Sequence, residues 1–373
     1  MLKVGILGGG QLGRMLLQTA ANYPVLTHVL ENDPECPAAH LCHHFTLGDI
    51  RDFDTVYQFG KKLDCLTIEI EQVNIEALEK LEEEGLLVIP KPATLRIIRN
   101  KIVQKEFYKN AEIPTAEFSV TQSRKELNDH LDFLPAAHKT AEGGYDGKGV
   151  QLIKDVSEVS LGFDVPSVLE KMVSVAHEIA VIVAIGQHGE NAVYPPVEMI
   201  FDAKLNLLDY QLCPASIGET VTSKAEQIAL ELVKKFNSPG LFAVELFVSK
   251  TGEVLVNETA PRVHNSGHHS IEAIHCSQFD MLWRILLKLP LGSTEMLSPS
   301  VMVNIVGADG EDGPVRYEGL EKVLAVPGAY VHLYGKAVTK PGRKMGHVNL
   351  LGSDLTDLGE KAHWVKNTLI PKK

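Results

Sequence analysis

Apolar runs alternate with helical patterns through roughly the first ninety residues, and this alternation limits the folds open to the chain. Four apolar runs are predicted strands: KVGILG, VLTHVLEN, CLTIEIE and LLVIP. Three segments are predicted helices: QLGRMLLQTAAN, FDTVYQFGKKL and NIEALEKLEEEG. In the first helix, the apolar residues lie on one face: Leu12, Met15, Leu16 and Ala20. Because strand–helix–strand units run successive strands in parallel, the chain is predicted to begin with a doubly wound parallel α/β sheet.

The pattern changes after Pro90 and Pro92, which punctuate the end of this sheet. A basic helical stretch follows, and several predicted strands then surround a glycine-rich turn. Next come the helix SKAEQIALELVKKF, the hairpin LFAVELFVSKTGEVLVNETA and the helix SQFDMLWRILLKL. From about Ser300, short strands and turn residues predict a small β-rich end domain. The length of 373 residues also favours two or three domains over one.

Composition excludes several classes of function. A formal net charge of −12 argues against general binding of nucleic acid or anionic membranes. No segment approaches the roughly 18 apolar residues of a membrane span, and no signal peptide is predicted. The five cysteines are scattered and odd in number, which suits a reducing compartment, so we expect a cytoplasmic protein.

The segment ECPAAHLCHH raises the alternative of a zinc site. Its candidate ligands are Cys36, His40, Cys42, His43 and His44. No second Cys or His pair follows at the spacing that zinc sites use. We therefore favour a loop after a strand over a metal site.

The segment VGILGGGQLGRM contains a glycine loop between a predicted strand and a predicted helix. Gly8, Gly10 and Gly13 fit the G-x-G-x-x-G pattern of dinucleotide sites, and Asp33 follows 20 residues after Gly13. Taken alone, these residues leave an NAD-dependent dehydrogenase open.

A second glycine loop, AEGGYDGKGVQ, differs from a Walker A loop. Glu142 stands where its first glycine should be, and Gly149 follows Lys148 in place of Ser or Thr. The glycines nevertheless let backbone amides approach phosphate oxygens, and Lys139 and Lys148 add positive charge. The segment predicts a hairpin tip that closes over a nucleotide. An ordinary glycine-rich β-turn is the alternative.

Two glutamates are predicted to oppose each other across the hairpin. If the turn is centred on Thr251 and Gly252, Glu245 faces Glu258. Opposed like charges destabilise a hairpin, whereas a divalent cation reverses that interaction, and hard oxygen ligands favour Mg²⁺. Asn257 could assist if the strand bulges. A solvent-facing glutamate pair is the alternative, and a three-residue turn would offset the pair.

Two polar segments complete the candidate chemistry. APRVHNSGHHS follows the hairpin directly, and LYGKAVTKPGRKMGHVN lies near the C-terminus. Arginine makes bidentate contacts to phosphate and lysine adds a point charge, so the second segment predicts an anion site. A solvated basic turn is the alternative.

Together GGGQLGRM, GGYDGKG, VNETAPRVHNSGHHSIEA and YGK…GRKMGH resemble the ATP-grasp superfamily, and within it the 5-(carboxyamino)imidazole ribonucleotide synthase family. The resemblance runs from Gly5 to about Asn349. It implies an N-terminal α/β domain, a central ATP-grasp α+β domain with a glycine-rich lid over about 114–172, and a β-rich C-terminal domain. The implied boundaries are 1–92, 93–295 and 296–373.

The resemblance also implies the reaction. ATP phosphorylates bicarbonate to carboxyphosphate, and 5-aminoimidazole ribonucleotide takes the carboxyl group in purine biosynthesis. The implied cofactor is Mg²⁺, with Mn²⁺ as a substitute and without biotin, and the implied assembly is a homodimer. In this fold the first glycine loop faces the ribonucleotide and does not hold NAD.

Site residues are carried over from the resemblance position by position. The implied ATP-binding residues are Lys101, Lys139, Gly144, Tyr145, Asp146, Gly147, Lys148, Gly149, Val150, Glu170, Lys171, Met172, Val173, Glu178, Asn257 and Glu258. The implied metal ligands are Glu245 and Glu258, as in the hairpin argument. The implied ribonucleotide contacts are Gln11, Leu12, Glu71, Ser266, Lys336, Arg343 and Lys344. The implied catalytic residues are Arg262, His264, Asn265 and Lys336.

The chain departs from the family pattern at four positions: Lys101 replaces an arginine, Val150 a glutamine, Val263 a proline and Phe201 a histidine. We assign no role to Phe201, and Val263 should loosen its turn slightly. The rival within the superfamily is a formate-dependent glycinamide ribonucleotide transformylase. A catalytically silent nucleotide-binding regulator is a third alternative beside the dehydrogenase.

Overall fold

The structure is a computed structural model that describes residues 1–143, 149–201 and 208–373. Five residues of the predicted phosphate loop therefore lie outside the described residues: Gly144, Tyr145, Asp146, Gly147 and Lys148.

The N-terminal domain is built on a parallel sheet with the order β3-β2-β1-β4-β5. Its strands are β1 (Leu2–Leu7), β2 (Val25–Glu31), β3 (His44–Leu47), β4 (Cys65–Ile68) and β5 (Leu87–Ile89). Its helices are α1 (Gln11–Ala20), α2 (Phe53–Gly60) and α3 (Ile75–Glu83). Val4 and Ile6 share a core with α1, whereas Leu7 packs with α2 and α3. Helices thus cover both faces, and the predicted doubly wound sheet is confirmed, although the sequence did not predict β3.

Local capping explains where these helices begin and end. Asn74 precedes α3 and its side chain accepts a hydrogen bond from the amide of Ala77, while Asp52 caps α2 in the same way. Such caps satisfy donors that the first helical turn leaves free. Gly85, predicted to end α3, adopts a φ of +95° just after it.

The basic helical stretch is divided into α4 (Pro92–Arg99) and α5 (Lys101–Asn110). Asn100 separates them and caps α5 by accepting from the amides of Ile102 and Val103. The lid sheet follows, with antiparallel strands in the order β6-β9-β7-β8. Its strands are β6 (Phe118–Thr121), β7 (Ala136–Thr140), β8 (Val150–Ile153) and β9 (Ser167–Lys171).

The central domain continues with six more strands and three helices among the described residues. The strands are β10 (Val175–Ile185), β11 (Asn191–Val193), β12 (Val197–Phe201), β13 (Leu208–Cys213), β14 (Gly240–Ser249) and β15 (Val254–Ala260). The helices are α6 (Glu219–Lys235), α7 (Ser270–Ala273) and α8 (Gln278–Leu286). α6 packs on one face of β10 and β14, and α8 packs on the other.

The C-terminal segment extends the same sheet. Its strands are β16 (Ser300–Val306), β17 (Gly313–Pro314), β18 (Arg316–Glu318), β19 (Ala329–Leu333), β20 (Val338–Thr339), β21 (Lys344–Leu351) and β22 (Ile370–Lys372). Its helices are α9 (Leu320–Leu324) and α10 (Leu355–Thr368), which the sequence did not predict. The large sheet has the order β15-β14-β10-β12-β13-β16-β21-β19, and β11 pairs with β10. β17 pairs with β20, and β18 with β22.

A shared core joins the N-terminal domain to the central sheet. α1 packs on α8, and the indole nitrogen of the fully buried Trp283 donates to the carbonyl of Leu16 at 2.8 Å. The hydroxyl of Tyr23 donates to Asp280 at 2.5 Å beside this contact. The carboxyl ends of β1 and β4 are thereby held against the hairpin of β14 and β15.

We expect the stability of the lid sheet to depend on pH through the buried residue His138. Its ring is fully buried, and Nδ1 accepts from the amide of Phe163 at 3.1 Å, so Nε2 carries the proton and donates to Thr121 Oγ1 at 3.0 Å. Burial lowers the pKa of His138 from 6.5 to about 4. As the pH falls from about 6.5 to about 4, the unfolded chain takes up a second proton on this ring before the folded chain does, so the free energy of unfolding decreases. We expect about 2 kcal/mol of loss at pH 5 relative to pH 7.

Urea unfolding of the wild type and of His138→Gln at pH 5 and pH 7 measures this contribution. The variant should lose less stability on acidification, whereas His40→Gln at an exposed position should behave like the wild type. An equal loss in the wild type and in His138→Gln would contradict the assignment.

Candidate active site

A cavity of about 720 Å³ lies between the N-terminal domain and the central sheet. Its apolar wall includes Ile98, Met199 and Phe201, the last of which we had given no role. The cavity is lined by residues from every predicted group: Gln11, Leu12, Glu71, Lys101, Glu245, Glu258, Arg262, His264, Asn265 and Lys344. Tertiary structure therefore brings the two predicted metal ligands, the polar segment after the hairpin and the N-terminal residues to one space.

The predicted pairing of Glu245 with Glu258 is confirmed, but by a different route. The turn contains three residues, so the strands next to it are offset by one residue from the predicted register. A β-bulge at Asn257 then restores the register and places Glu245 opposite Glu258. We predicted that Asn257 could assist the glutamate pair if the strand bulges, and the bulge lies at this residue.

The two opposed carboxylates titrate differently. Burial, the charge of Glu258 and that of Glu178 raise the pKa of Glu245. The positive charge of Lys101, which forms an ion pair with Glu258, lowers the pKa of that carboxyl. Two partly buried carboxylates facing each other beside one lysine make an oxygen donor set that suits a divalent cation.

Lys139 is held by acceptors on both sides of the site. Its Nζ donates to Glu170 Oε2 at 3.1 Å and to Asn257 Oδ1 at 2.9 Å. The same Glu170 oxygen lies 3.2 Å from Lys105 Nζ. Burial acts to raise the pKa of Glu170, but the two lysines outweigh it and the net pKa is lowered. Because Asn257 precedes Glu258, this cluster links the lid sheet to the carboxylate pair.

Only part of the backbone of the strand predicted to bind adenine is available for a ligand. The amide of Lys171 donates to the carbonyl of Glu117 at 2.9 Å, and the amide of Met172 donates to that of Pro135 at 3.0 Å. The Lys171 side chain pairs with Glu117 at the surface. Val173, which is half-buried, follows. Any backbone contact to adenine must therefore use carbonyls of this strand or the amide of Val173.

The other predicted nucleotide residues lie on neighbouring strands. Val150 pairs with Lys139 between β7 and β8, and the carbonyl of Gly149 accepts from the amide of Thr140 at 2.9 Å. Glu178 lies on β10 beside β14, and burial raises its pKa while Lys139 opposes that rise.

Arg262 is fixed by an ion pair that spans two domains. Its Nε lies 2.9 Å from Glu71 Oε1, and both side chains are mostly buried. Its Nη1 donates to the carbonyl of Val263 at 3.0 Å. Val263 is fully buried, so the departure from proline leaves the turn packed. The guanidinium is thereby held at the cavity wall.

His264 and Asn265 face the cavity with defined polar atoms. His264 Nδ1 accepts from the amide of Ser266 at 3.3 Å and from its hydroxyl at 3.0 Å, so the proton lies on Nε2, 3.7 Å from Glu245 Oε1. Both side-chain polar atoms of Asn265 are buried without a hydrogen-bond partner in the described structure, as suits a polar ligand. Ser266 is buried and orients His264, and its contact with the ribonucleotide stays a prediction.

The basic residues near the C-terminus divide into two groups. Lys336 Nζ donates to Gln11 Oε1 at 2.9 Å and to the carbonyl of Lys344 at 2.7 Å, and Lys344 lines the cavity. Arg343 instead donates to the carbonyl of Val338 at 2.7 Å and does not line the described cavity. Of the predicted clamp, Lys344 therefore lines the described cavity, whereas Lys336 and Arg343 do not, and the contact of all three residues with the ribonucleotide stays a prediction.

The first glycine loop is bound by carboxylates of the protein itself. The amides of Gly10 and Gly13 donate to the two oxygens of Glu69 at 2.7 and 2.8 Å, and that of Gly9 donates to Glu31 at 3.0 Å. In dinucleotide sites, the equivalent amides bind the pyrophosphate. An acidic residue after the second strand binds the ribose. The dinucleotide alternative thereby loses its structural basis.

The segment after β2 makes ordinary structural contacts. Asp33, the candidate ribose ligand, accepts from the amide of Glu35 at 2.9 Å. Cys36 is buried, and His43 Nδ1 accepts from the amide of Thr27 at 3.2 Å. Within residues 1–143, 149–201 and 208–373, no group of three or more His, Cys, Asp or Glu side chains could hold a metal ion. Residues 34–43 form turns and bends between β2 and β3, as the prediction of a loop after a strand requires.

Sequence reasoning missed three residues that organise this site. Glu69 binds the glycine loop, and Lys105 shares Glu170 with Lys139. Gln278 accepts from the amide of His264 at 2.8 Å and donates to its carbonyl at 2.7 Å. Lys105 lies four residues after Lys101 on one helix face, and Glu69 interrupts an apolar strand. Both residues could therefore have been identified from the sequence pattern. Gln278 could not.

Three family models match consecutive parts of the chain. The ribonucleotide synthetase preATP-grasp domain matches residues 1–99, the ATP-grasp domain matches 106–279, and the phosphoribosylaminoimidazole carboxylase C-terminal domain matches 300–361. N5-carboxyaminoimidazole ribonucleotide synthase of Aquifex aeolicus is 37% identical over 376 residues, which cover 98% of this chain and 96% of that protein. The chain belongs to the N5-carboxyaminoimidazole ribonucleotide synthase family of ATP-grasp ligases.

Other members of the synthase family extend the similarity. The chain is 38% identical to the chloroplastic phosphoribosylaminoimidazole carboxylase of Vigna aconitifolia and spans 65% of that protein. The crystal structure of the Thermotoga maritima synthetase matches with a TM-score of 0.93 at 38% identity and covers 100% of both chains. An Aspergillus clavatus synthase solved with ADP and 5-aminoimidazole ribonucleotide matches with a TM-score of 0.89 at 31% identity, covering 98% of both chains.

No helix in the described part of the chain is both long and apolar enough to cross a membrane.

Proposed function

We propose that this chain uses ATP and bicarbonate to carboxylate 5-aminoimidazole ribonucleotide to its N5-carboxy derivative, with release of ADP and phosphate in purine biosynthesis. One observation carries the proposal. The opposed pair Glu245 and Glu258 shares a cavity with Arg262, Asn265 and the N-terminal glycine loop. A nucleotide phosphate, a small oxyanion and a second substrate can therefore meet in one space.

The nucleotide side uses lysines at the junction of the lid and the central sheet. Lys139 is aligned by Glu170 and Asn257, and Lys101 by Glu258. Both present positive charge to the ATP phosphates, with Glu178 as acceptor for a ribose hydroxyl. Lysine contributes a point charge here and no bidentate fork, which is the consequence of its replacing arginine at position 101.

Glu245 and Glu258 would hold Mg²⁺, or Mn²⁺ in its place. A cation held there would supply positive charge that neutralises the negative charge developing on the transferred phosphoryl group. The protein holds the two carboxylates in place through the bulge at Asn257 and the ion pair with Lys101.

The acceptor side activates bicarbonate. A bicarbonate oxygen attacks the γ-phosphorus of ATP, the bond from that phosphorus to the β,γ-bridging oxygen breaks, and ADP and carboxyphosphate form. Arg262, held by Glu71, stabilises the oxyanion, and Asn265 supplies donor and acceptor atoms beside it. His264 aims its Nε2 proton toward Glu245 and borders the same space. Exclusion of water protects carboxyphosphate from hydrolysis.

The ribonucleotide enters against Gln11, Leu12 and Glu71, with its phosphate toward Lys344. We expect Lys344→Ala to raise the KM for the ribonucleotide by roughly 10- to 100-fold, as the loss of about 1.5–3 kcal/mol for one charged contact predicts. The KM for ATP should change little, because the proposed contact of Lys344 is with the non-reacting phosphate of the ribonucleotide. Steady-state kinetics with each substrate varied in turn measures the split.

Lys340→Ala is the matched control for this variant, since Lys340 is exposed on the same C-terminal segment. It should leave both KM values near those of the wild type. Equal increases for ATP and ribonucleotide in Lys344→Ala would assign Lys344 to the nucleotide instead.

A coupled ADP-release assay tests the function itself. Turnover is expected with 5-aminoimidazole ribonucleotide plus bicarbonate, and none with glycinamide ribonucleotide plus formate. The reverse result would favour the formate-dependent transformylase. ADP release without dependence on either substrate pair would overturn both assignments, and no ADP release under any condition would favour a silent nucleotide-binding protein.

The proposal includes a homodimer in the cytoplasm. All five cysteines are free, which suits a reducing compartment. Light scattering coupled to size exclusion should give twice the chain mass of 40.9 kDa.

A further inference from the structure

We propose that Glu69 is a positioning residue that fills the anion-binding end of α1, fixes the ribonucleotide wall of the cavity and keeps phosphate groups out of the glycine loop. The substrate named here rests on the function proposed above. The contacts of Glu69 do not.

Glu69 takes the place that a bound anion takes in related folds. α1 begins after Gly10 without a side-chain cap and without an acidic residue in its first turn. Glu69, which is 8% exposed, accepts from the amides of Gly10 and Gly13 through different oxygens. Free amides at a helix N-terminus attract anions, so an internal carboxylate that binds two of them closes this site to others.

The glycines of the loop are required by Glu69 itself. A Cβ added to Gly8 would lie 2.6 Å from Glu69 Cγ, and one added to Gly10 would lie 2.8 Å from Glu69 Oε1. Both distances are too short for non-bonded atoms. Glycine at these two positions is therefore explained by the close approach of a protein side chain, without any external ligand.

The same contact sets the distance between two walls of the cavity. Gln11 directly follows Gly10 and accepts from Lys336. Glu71 lies two residues after Glu69 and pairs with Arg262. Because Glu69 ties the start of α1 to the segment after β4, it fixes Gln11 relative to Glu71, and both are proposed ribonucleotide contacts.

The test compares Glu69→Ala with Glu31→Gln, a control that alters the other loop carboxylate, which does not line the cavity. Glu69→Ala should raise the KM for the ribonucleotide about 10-fold or more and change the KM for ATP by less than about 2-fold. Acetate replaces the missing carboxylate, so adding it should lower the raised KM of Glu69→Ala without improving the wild type. Glu31→Gln should show neither effect.

An unchanged ribonucleotide KM in Glu69→Ala, or equal increases for both substrates that acetate does not reverse, would overturn the proposal. If Glu69→Ala does not fold, Glu69→Gln replaces it. Glutamine keeps the volume and only one acceptor oxygen, so the ribonucleotide KM should rise in the same direction, and an unchanged KM overturns the proposal.

Pyrophosphate binding, measured by calorimetry without substrates, separates this inference from the proposed function. Pyrophosphate should bind Glu69→Ala more tightly than it binds the wild type or Glu31→Gln, because the amides of Gly10 and Gly13 are released. Equal affinity in all three proteins would overturn the inference even if the carboxylation assay succeeds. Tighter binding would support it even if that assay fails.

Discussion

Replacement of Glu258 by glutamine is expected to lower ATP turnover by about 100-fold or more while the fold is retained. Glu258 faces Glu245 across the hairpin and forms an ion pair with Lys101. Glutamine removes one anionic ligand from the proposed metal site and also leaves Lys101 without its counter-charge. The measurement is ribonucleotide- and bicarbonate-dependent ADP release across a magnesium titration.

Glu253→Gln provides the matched control, since it makes the same charge change at an exposed position directly after the turn of the same hairpin. It should leave turnover unchanged at every magnesium concentration. Circular dichroism and thermal unfolding establish that both variants fold. Wild-type turnover by Glu258→Gln throughout the titration would show that Glu258 is not a metal ligand.

Bicarbonate labelled with heavy oxygen is expected to pass one labelled oxygen into each inorganic phosphate released. If bicarbonate attacks the γ-phosphorus, its attacking oxygen becomes the bridge of carboxyphosphate. That oxygen leaves with phosphate, whether the amine captures the carboxyl carbon directly or captures carbon dioxide released first. The motive for the test is the position of Arg262 and Asn265 in the same cavity as the carboxylate pair.

Mass spectrometry of phosphate at short times, before bicarbonate exchanges oxygen with water, gives the result. A parallel reaction in labelled water with unlabelled bicarbonate measures direct hydrolysis of ATP. Unlabelled phosphate from labelled bicarbonate would eliminate carboxyphosphate as the intermediate, even if the ribonucleotide is carboxylated.

Local pattern in the sequence was sufficient for much of the fold. Periodicity identified the strands and helices of the N-terminal domain, because a helix that packs on a sheet repeats its apolar residues every three or four positions. The hairpin around Gly252 was likewise encoded locally. α10 escaped prediction, and a single helical stretch was predicted where Asn100 caps a second helix.

Part of the site was also available from the sequence. Glu245 and Glu258 could be paired because a hairpin brings nearby residues together at low entropic cost. The family resemblance then identified the polar residues on either side. The register was predicted from an assumed turn, however, and only the bulge at Asn257 made the predicted pair correct.

The tertiary structure decided which groups the site residues face. Glu69 reaches the amide of Gly10 across 59 residues of sequence, and no local pattern distinguishes a loop filled by such a carboxylate from one that binds a dinucleotide. In the structure Arg343 contacts the carbonyl of Val338 in its own loop and Ser266 contacts His264, neither of which the sequence predicted. Sequence determines which side chains are present and the local elements that carry them. Long-range packing alone determines their partners, because it sets which elements meet and leaves each buried donor only the acceptors within its reach.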